Sequence, residues 1–224
     1  MNKSKNIYRG VVGLIILAAL LIALYDQLTA TLIPTVGGRV LGYVSYFTEL
    51  SNILVMLWYL NKAFFKKKIK FLDKDSVRGA ITLYIWVAGL VFFLVLNEAW
   101  HAHGIVKFEE YILHGFSPIA FLVDYFVFER KGIYKFKQIL MWIIFPIIYL
   151  FYAIGIGHII HVYPYPFLNM NVLTVRELIQ NLIDLLIPAF LGLSFLLVIM
   201  DKIALLFSKA FSKGRNNDSL NTCK

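Results

Sequence analysis

Cysteine occurs once, as Cys223 in the polar end of the chain. A lone thiol closes no intramolecular disulfide, and CxxC redox centres and cysteine-based zinc sites are excluded with it. Charge is scarce as well: 16% of the 224 residues are Asp, Glu, Lys or Arg, against 60% hydrophobic. No water-soluble domain of this length hides such an apolar fraction in one core, so lipid is the expected solvent for most of the chain. Acidic residues are the rarer sign, 13 against 22 Lys and Arg, which leaves a formal net charge of +9. That excess does not point to nucleic acid, because the basic residues lie between apolar runs rather than on one compact segment. Also missing are an HExxH-like motif, a convincing internal repeat, and a good small-x-small cleavage site after the first apolar run.

What is present is a series of apolar runs, at about 10–25, 40–60, 79–96, 111–128, 139–160 and 182–200. Each is long enough for a membrane helix and too long for a barrel strand, and backbone satisfaction in lipid demands helices. The expected fold is therefore all-α, a polytopic bundle of six transmembrane helices over residues 1–203 whose first span is not cleaved. A basic cytoplasmic tail, 204–224, follows it. Its beginning overlaps a mixed apolar and lysine-bearing stretch, 201–213, suited to the membrane surface. Lys and Arg number nineteen in the N-terminal arm, the segments 62–78 and 130–137 and the stretch from Lys202 onward, against three (Arg39, Lys107 and Arg176) in the alternate segments. The positive-inside rule then places both termini in the cytoplasm. Pro118, Pro146 and Pro188 fall inside the last three spans, where a kink frees carbonyls for polar partners.

With that orientation the polar residues gather toward the outer ends of the spans. They are Asp26, then Thr48, Glu49, Ser51 and Asn52, then Asn97 and Glu98, His114 and Ser117, His158, and finally Asn181 and Asp184. Such groups are costly in hydrocarbon and face a bundle interior, so a shared outer pocket is one reading; wetter helix ends are the other, for Asp26, Glu98, His158 and Asn181 in particular. Thr48, Ser51 and Asn52 stand at i, i+3 and i+4, one polar face that serves either a site or helix packing. At 1.5 Å rise per residue, Thr48 lies roughly 10 Å and His114 about 5 Å inside their spans, near enough in depth to meet if the second and fourth helices are neighbours. Asp124 is too far along its helix to join them, and pairing with Arg130 or a loop lysine is expected instead.

The segment Tyr46-Phe47-Thr48-Glu49-Leu50-Ser51-Asn52, then Leu113-His114-Gly115-Phe116-Ser117-Pro118 with Asp124, then Tyr163-Pro164-Tyr165-Pro166-Phe167-Leu168-Asn169 resembles the androgen-induced protein family. It is most similar to that family's prokaryotic six-span branch. The resemblance implies a threonine hydrolase of fatty acid esters of hydroxy fatty acids, with Thr48 as nucleophile and His114 as its partner, in a bacterial cytoplasmic membrane. The residues make chemical sense beside the name. A threonine hydroxyl attacks once a neutral histidine takes its proton, and the same histidine can protonate the leaving alcohol. Ser51 and Asn52 are candidates to stabilise the oxyanion, and Asp184, Asp26 and Glu49, in that order, to orient His114. The loop 163–169, aromatic and rich in proline, suits either interfacial anchoring or a lid.

Two other readings stand beside this one. Five histidines, His101, His103, His114, His158 and His161, lie toward the outer face, and His158 with His161 has a helical metal-site spacing, so a metal-dependent membrane hydrolase is the alternative enzyme. A lipid-binding or transport protein would use the same pocket without chemistry. The partners expected are the bilayer and a lipid ester, with no cofactor and no nucleic acid.

Overall fold

Apolar runs surrounded by lipid can satisfy their backbone only by coiling, and the chain does so almost throughout. The computed structural model describes residues 3–65, 69–96 and 103–221, with side chains as far as Ala210. The helices are α1 (Lys3–Thr29), α2 (Val36–Ser45), α3 (Phe47–Ala63), α4 (Asp75–Val91), α5 (Gly104–Tyr111), α6 (Ser117–Phe128), α7 (Ile139–Ile160), α8 (Val175–Asn181) and α9 (Ile187–Asn221). Wider π-helical turns extend α4 over Phe92–Leu96, join α5 to α6 over Ile112–Phe116, and join α8 to α9 over Leu182–Leu186. No strand occurs among the described residues. Asn97, Glu98 and His101 lie outside them.

Five continuous stretches are long and apolar enough to cross a membrane: Lys3–Thr29, Asp75–Leu96, Gly104–Phe128, Phe136–Ile160 and Val175–Ala210. A sixth exists if α2 and α3, bent by 74° at Tyr46, count as one. Large apolar side chains stand exposed along α7, with Leu140 at 75% and Phe151 at 71%. Exposure on this scale suits a bilayer rather than water.

Two departures from the sequence reading matter. The run 40–60 is not one straight helix, because Tyr46 is extended (φ −78°, ψ 134°) and breaks it. Neither Gly nor Pro occupies the break; tyrosines from distant elements stabilise it instead. Tyr149 of α7 donates to the Ser45 carbonyl at 2.8 Å, and Tyr165 accepts from the Phe47 amide at 2.9 Å. At the other end of the chain, α9 runs without interruption through the expected start of the tail at 204.

Packing divides into two apolar groups. One joins α1, α3, α4 and α6 around Trp58, Tyr59 and Phe121, and the other joins α4, α7 and α9 around Trp142, Tyr149 and Leu197. At the end of the bundle remote from Thr48, buried charges connect the helices. Asp124, fully buried, accepts from Arg9 Nε at 2.7 Å, from Arg9 Nη2 at 2.8 Å and from Arg78 Nη1 at 3.0 Å. The expected Asp124 partners, Arg130 or a loop lysine, are thus replaced by arginines of α1 and α4, while Arg130 stands at the surface 3.5 Å from Asp75. Trp58 offers its ring to both guanidiniums, whose centres lie 4.7 and 4.4 Å away. Burial alone would raise the pKa of Glu129 beside this network, but Arg78, Arg9 and Lys5 outweigh it and hold the carboxyl below its ordinary value. Asp201 of α9 accepts from the Tyr125 hydroxyl at 2.5 Å and from the amides of Gly132, Ile133 and Tyr134, so it fixes the turn that leads into α7.

Candidate active site

Thr48 sits in the first turn of α3, just past the break, where the helix would otherwise leave amides unpaired. Its side chain is buried, 4% exposed, and its Oγ1 lies 3.1 Å from His114 Nε2. His114 belongs to the π-helical turn between α5 and α6. Insertions of this kind re-aim a side chain without ending the helix. Its Nδ1 is 3.0 Å from the Glu110 carbonyl oxygen, which can only accept, so Nδ1 carries the proton and Nε2 is left as the acceptor for the Thr48 hydroxyl. Phe92 stacks on the imidazole with centroids 3.9 Å apart and holds the ring plane.

The two helices are drawn together by Asn52, whose Nδ2 donates to the Thr48 carbonyl at 3.0 Å and to the Leu113 carbonyl at 3.1 Å. Both amide hydrogens are therefore engaged, and Asn52 acts in packing rather than as an oxyanion donor. Ser51 is fully buried and its hydroxyl has no partner among the described residues. Close approach from the third side depends on Gly89: a methyl built there would lie 2.6 Å from the His114 carbonyl oxygen and 3.2 Å from Pro118. Gly89→Ala is accordingly expected to displace the turn that carries His114, at a cost of about 1–3 kcal/mol readable as a lowered melting temperature in detergent.

Tyr165 was assigned by the sequence to an anchoring or lid loop; the structure inserts it into the site. Its hydroxyl accepts from the Phe47 amide at 2.9 Å and the Thr48 amide at 3.3 Å and lies 3.5 Å from Thr48 Oγ1. With both amides donating to its oxygen, the hydroxyl's own proton is left to point toward an acceptor such as Thr48 Oγ1. The flanking prolines, Pro164 and Pro166, are the local sequence signal of this role, since they fix φ on either side of an extended Tyr165 (φ −139°). Asn181 secures the loop by donating to the Phe167 carbonyl at 3.1 Å.

The remaining candidates separate clearly. Asp184 is exposed and accepts from Gln180 at 2.8 Å, so it does not reach His114, whose Nδ1 is held by a backbone carbonyl instead. Asp26 and Glu49 border the pocket on the His114 side without a hydrogen bond to the imidazole. His158 approaches Tyr163 at 3.4 Å, His161 ends α7 in a left-handed conformation, and His103 is exposed. Among the described residues no three His, Cys, Asp or Glu side chains group closely enough to hold a metal ion.

Two cavities meet at Thr48. The larger, about 400 Å³, is bordered by Phe47, Val91, Pro146, Leu150, Leu186 and Phe190 among others, and is almost wholly apolar. It reaches Ile147, Ile187 and Leu191, which are half exposed or nearly so on the faces of α7 and α9, so it opens sideways toward the surroundings of the bundle. The smaller, about 80 Å³, contains His114 and several carboxylates. Thr48, Leu96 and Tyr165 border both. Comparisons of the chain with family models, with curated proteins and with solved structures give no match.

Proposed function

We propose that this chain is a multi-pass membrane ester hydrolase that uses Thr48 as nucleophile and His114 as acid and base on a lipid-like acyl ester. The observation that carries the reading is the 3.1 Å approach of Thr48 Oγ1 to an Nε2 left free to accept, at the mouth of an apolar chamber. A chamber of this size accommodates much of an acyl chain, each buried methylene contributing about 0.8 kcal/mol.

In this mechanism Thr48 Oγ1 attacks the ester carbonyl carbon as its proton passes to His114 Nε2. Tyr165 donates to the developing oxyanion, helped by the positive end of α3. The bond from the carbonyl carbon to the alcohol oxygen breaks, and His114 returns the proton to that oxygen. Water then attacks the acyl-Thr48 ester, giving a proton to His114, and the carboxylic acid leaves as Thr48 recovers its hydrogen.

The fold reading proposed with it is six spans, α2 and α3 forming the broken one, with both termini in the cytoplasm of a bacterial cell and the site in the outer leaflet. The distribution of Lys and Arg supports it. Epitope tags appended at either end are expected to bind antibody only after the membrane is permeabilised; labelling of intact cells would reverse the orientation.

A lipid-binding protein without chemistry would also use the apolar chamber. An acyl-transfer probe separates the two readings: mass spectrometry is expected to find the acyl group on Thr48, and binding of the probe without a covalent adduct would remove the hydrolase assignment.

A further inference from the structure

The smaller cavity differs in chemistry from the rest of the interior. Asp26, Glu49, Glu109 and Glu110 border it together with the rings of Tyr43 and Tyr46, and no Lys or Arg does so among the described residues. Glu109 is 5% exposed and its Oε2 has no hydrogen-bond partner among the described residues; Glu49 Oε2 is in the same position. A buried carboxylate left unpaired is costly, and a cation is the ligand that relieves the cost. Aromatic faces beside carboxylates are the surroundings that suit an organic ammonium in particular.

We propose that the alcohol part of the substrate carries an ammonium group, held among Asp26, Glu49, Glu109 and Glu110 while the acyl chain occupies the apolar chamber. The proposal rests on the hydrolase reading and adds the substrate class to it. The direction of binding follows from the proton transfer. His114 borders the acidic cavity and not the apolar one, so the oxygen it protonates, and everything attached to that oxygen, lies on the acidic side. The ammonium takes no part in bond breaking; the ester bond to the alcohol oxygen is cleaved, that oxygen takes the proton from His114, and water completes the acid. An alcohol bearing a carboxylate or phosphate meets like charge there and is rejected, so the substrate class departs from the hydroxy fatty acid esters that the resemblance implies, whose alcohol part bears a carboxylate.

The test uses the full chain, purified in neutral detergent, with three dodecanoyl esters: those of choline, ethylene glycol and glycolate. The choline ester is expected to exceed the ethylene glycol ester at least tenfold in kcat/KM, with the glycolate ester slowest. Glu109→Gln and, separately, the less buried Glu110→Gln are expected to narrow the choline preference several-fold. A second readout needs no turnover: the decyl ether of choline should raise the melting temperature at lower concentration than the decyl ether of glycolate, and Glu109→Gln should weaken that difference. Equal or inverted ester rates that still require Thr48 overturn the ammonium assignment and leave the hydrolase reading standing. Preferential binding of the choline ether with no Thr48-dependent turnover of any ester keeps the cation pocket and removes the hydrolase. No preference in either readout overturns the proposal outright.

Discussion

Replacing Thr48 by alanine is expected to lower kcat on any accepted ester by at least about a thousandfold while leaving the protein folded. Loss of a nucleophile in a working dyad removes the covalent route altogether, and what remains comes from binding and oxyanion stabilisation. The fold should tolerate the change, because among the described residues the Thr48 side chain bonds only His114 and Tyr165, and the helix-joining bonds of Asn52 go to backbone carbonyls. A stability loss of about 1 kcal/mol is the expected scale for one hydrogen bond. Thr48→Ser keeps the hydroxyl and should keep measurable turnover, which distinguishes lost chemistry from lost packing. Turnover of the alanine variant at the wild-type rate, with a melting curve unchanged, would assign the hydrolysis to another group.

The second large effect is on stability. Asp124→Ala should cost about 3–5 kcal/mol, since it strands the guanidiniums of Arg9 and Arg78 in a buried place with their main acceptor gone. Glu129, 2.5 Å from Arg9 Nη2, compensates in part but hydrogen-bonds only Arg9 of the two. Asp124→Asn keeps an acceptor oxygen and should fall between the alanine variant and the wild type. Thermal unfolding in detergent provides the measurement, with the yield of monodisperse protein as a second indicator. A melting temperature within a degree or two of wild type would show that the arginines find other partners.

Composition and run length were enough to read an all-helical chain suited to lipid, because hydrocarbon leaves the backbone no other solution. Depth along the helix was enough to suggest that Thr48 and His114 lie at a common level. What the sequence hides is everything decided by partners far along the chain. The break at Tyr46 has no local marker; it exists because Tyr149 and Tyr165, more than a hundred residues later, bond the groups that a helix would have paired. The π-helical turn under His114 is equally silent, since one extra residue per turn leaves the apolar pattern nearly intact. The position of Asp184 near a span end suggested an interior, yet only the packing shows that it bonds Gln180 on its own helix. Asp124 illustrates the same limit, as its neighbours in sequence are plausible ion partners but α1 and α4 bring Arg9 and Arg78 closer.

The placement of those three charges bears on how the chain is assembled. Arg9 and Arg78 emerge during synthesis before Asp124 does, so α1 and α4 carry uncompensated cations until α6 has been made. Insertion of the first half is thereby tied to the later arrival of Asp124, with Glu129 five residues behind it. Nascent chains that stop short of residue 124 should be retained by the insertion machinery or degraded, whereas chains reaching beyond it give the two arginines their shared acceptor.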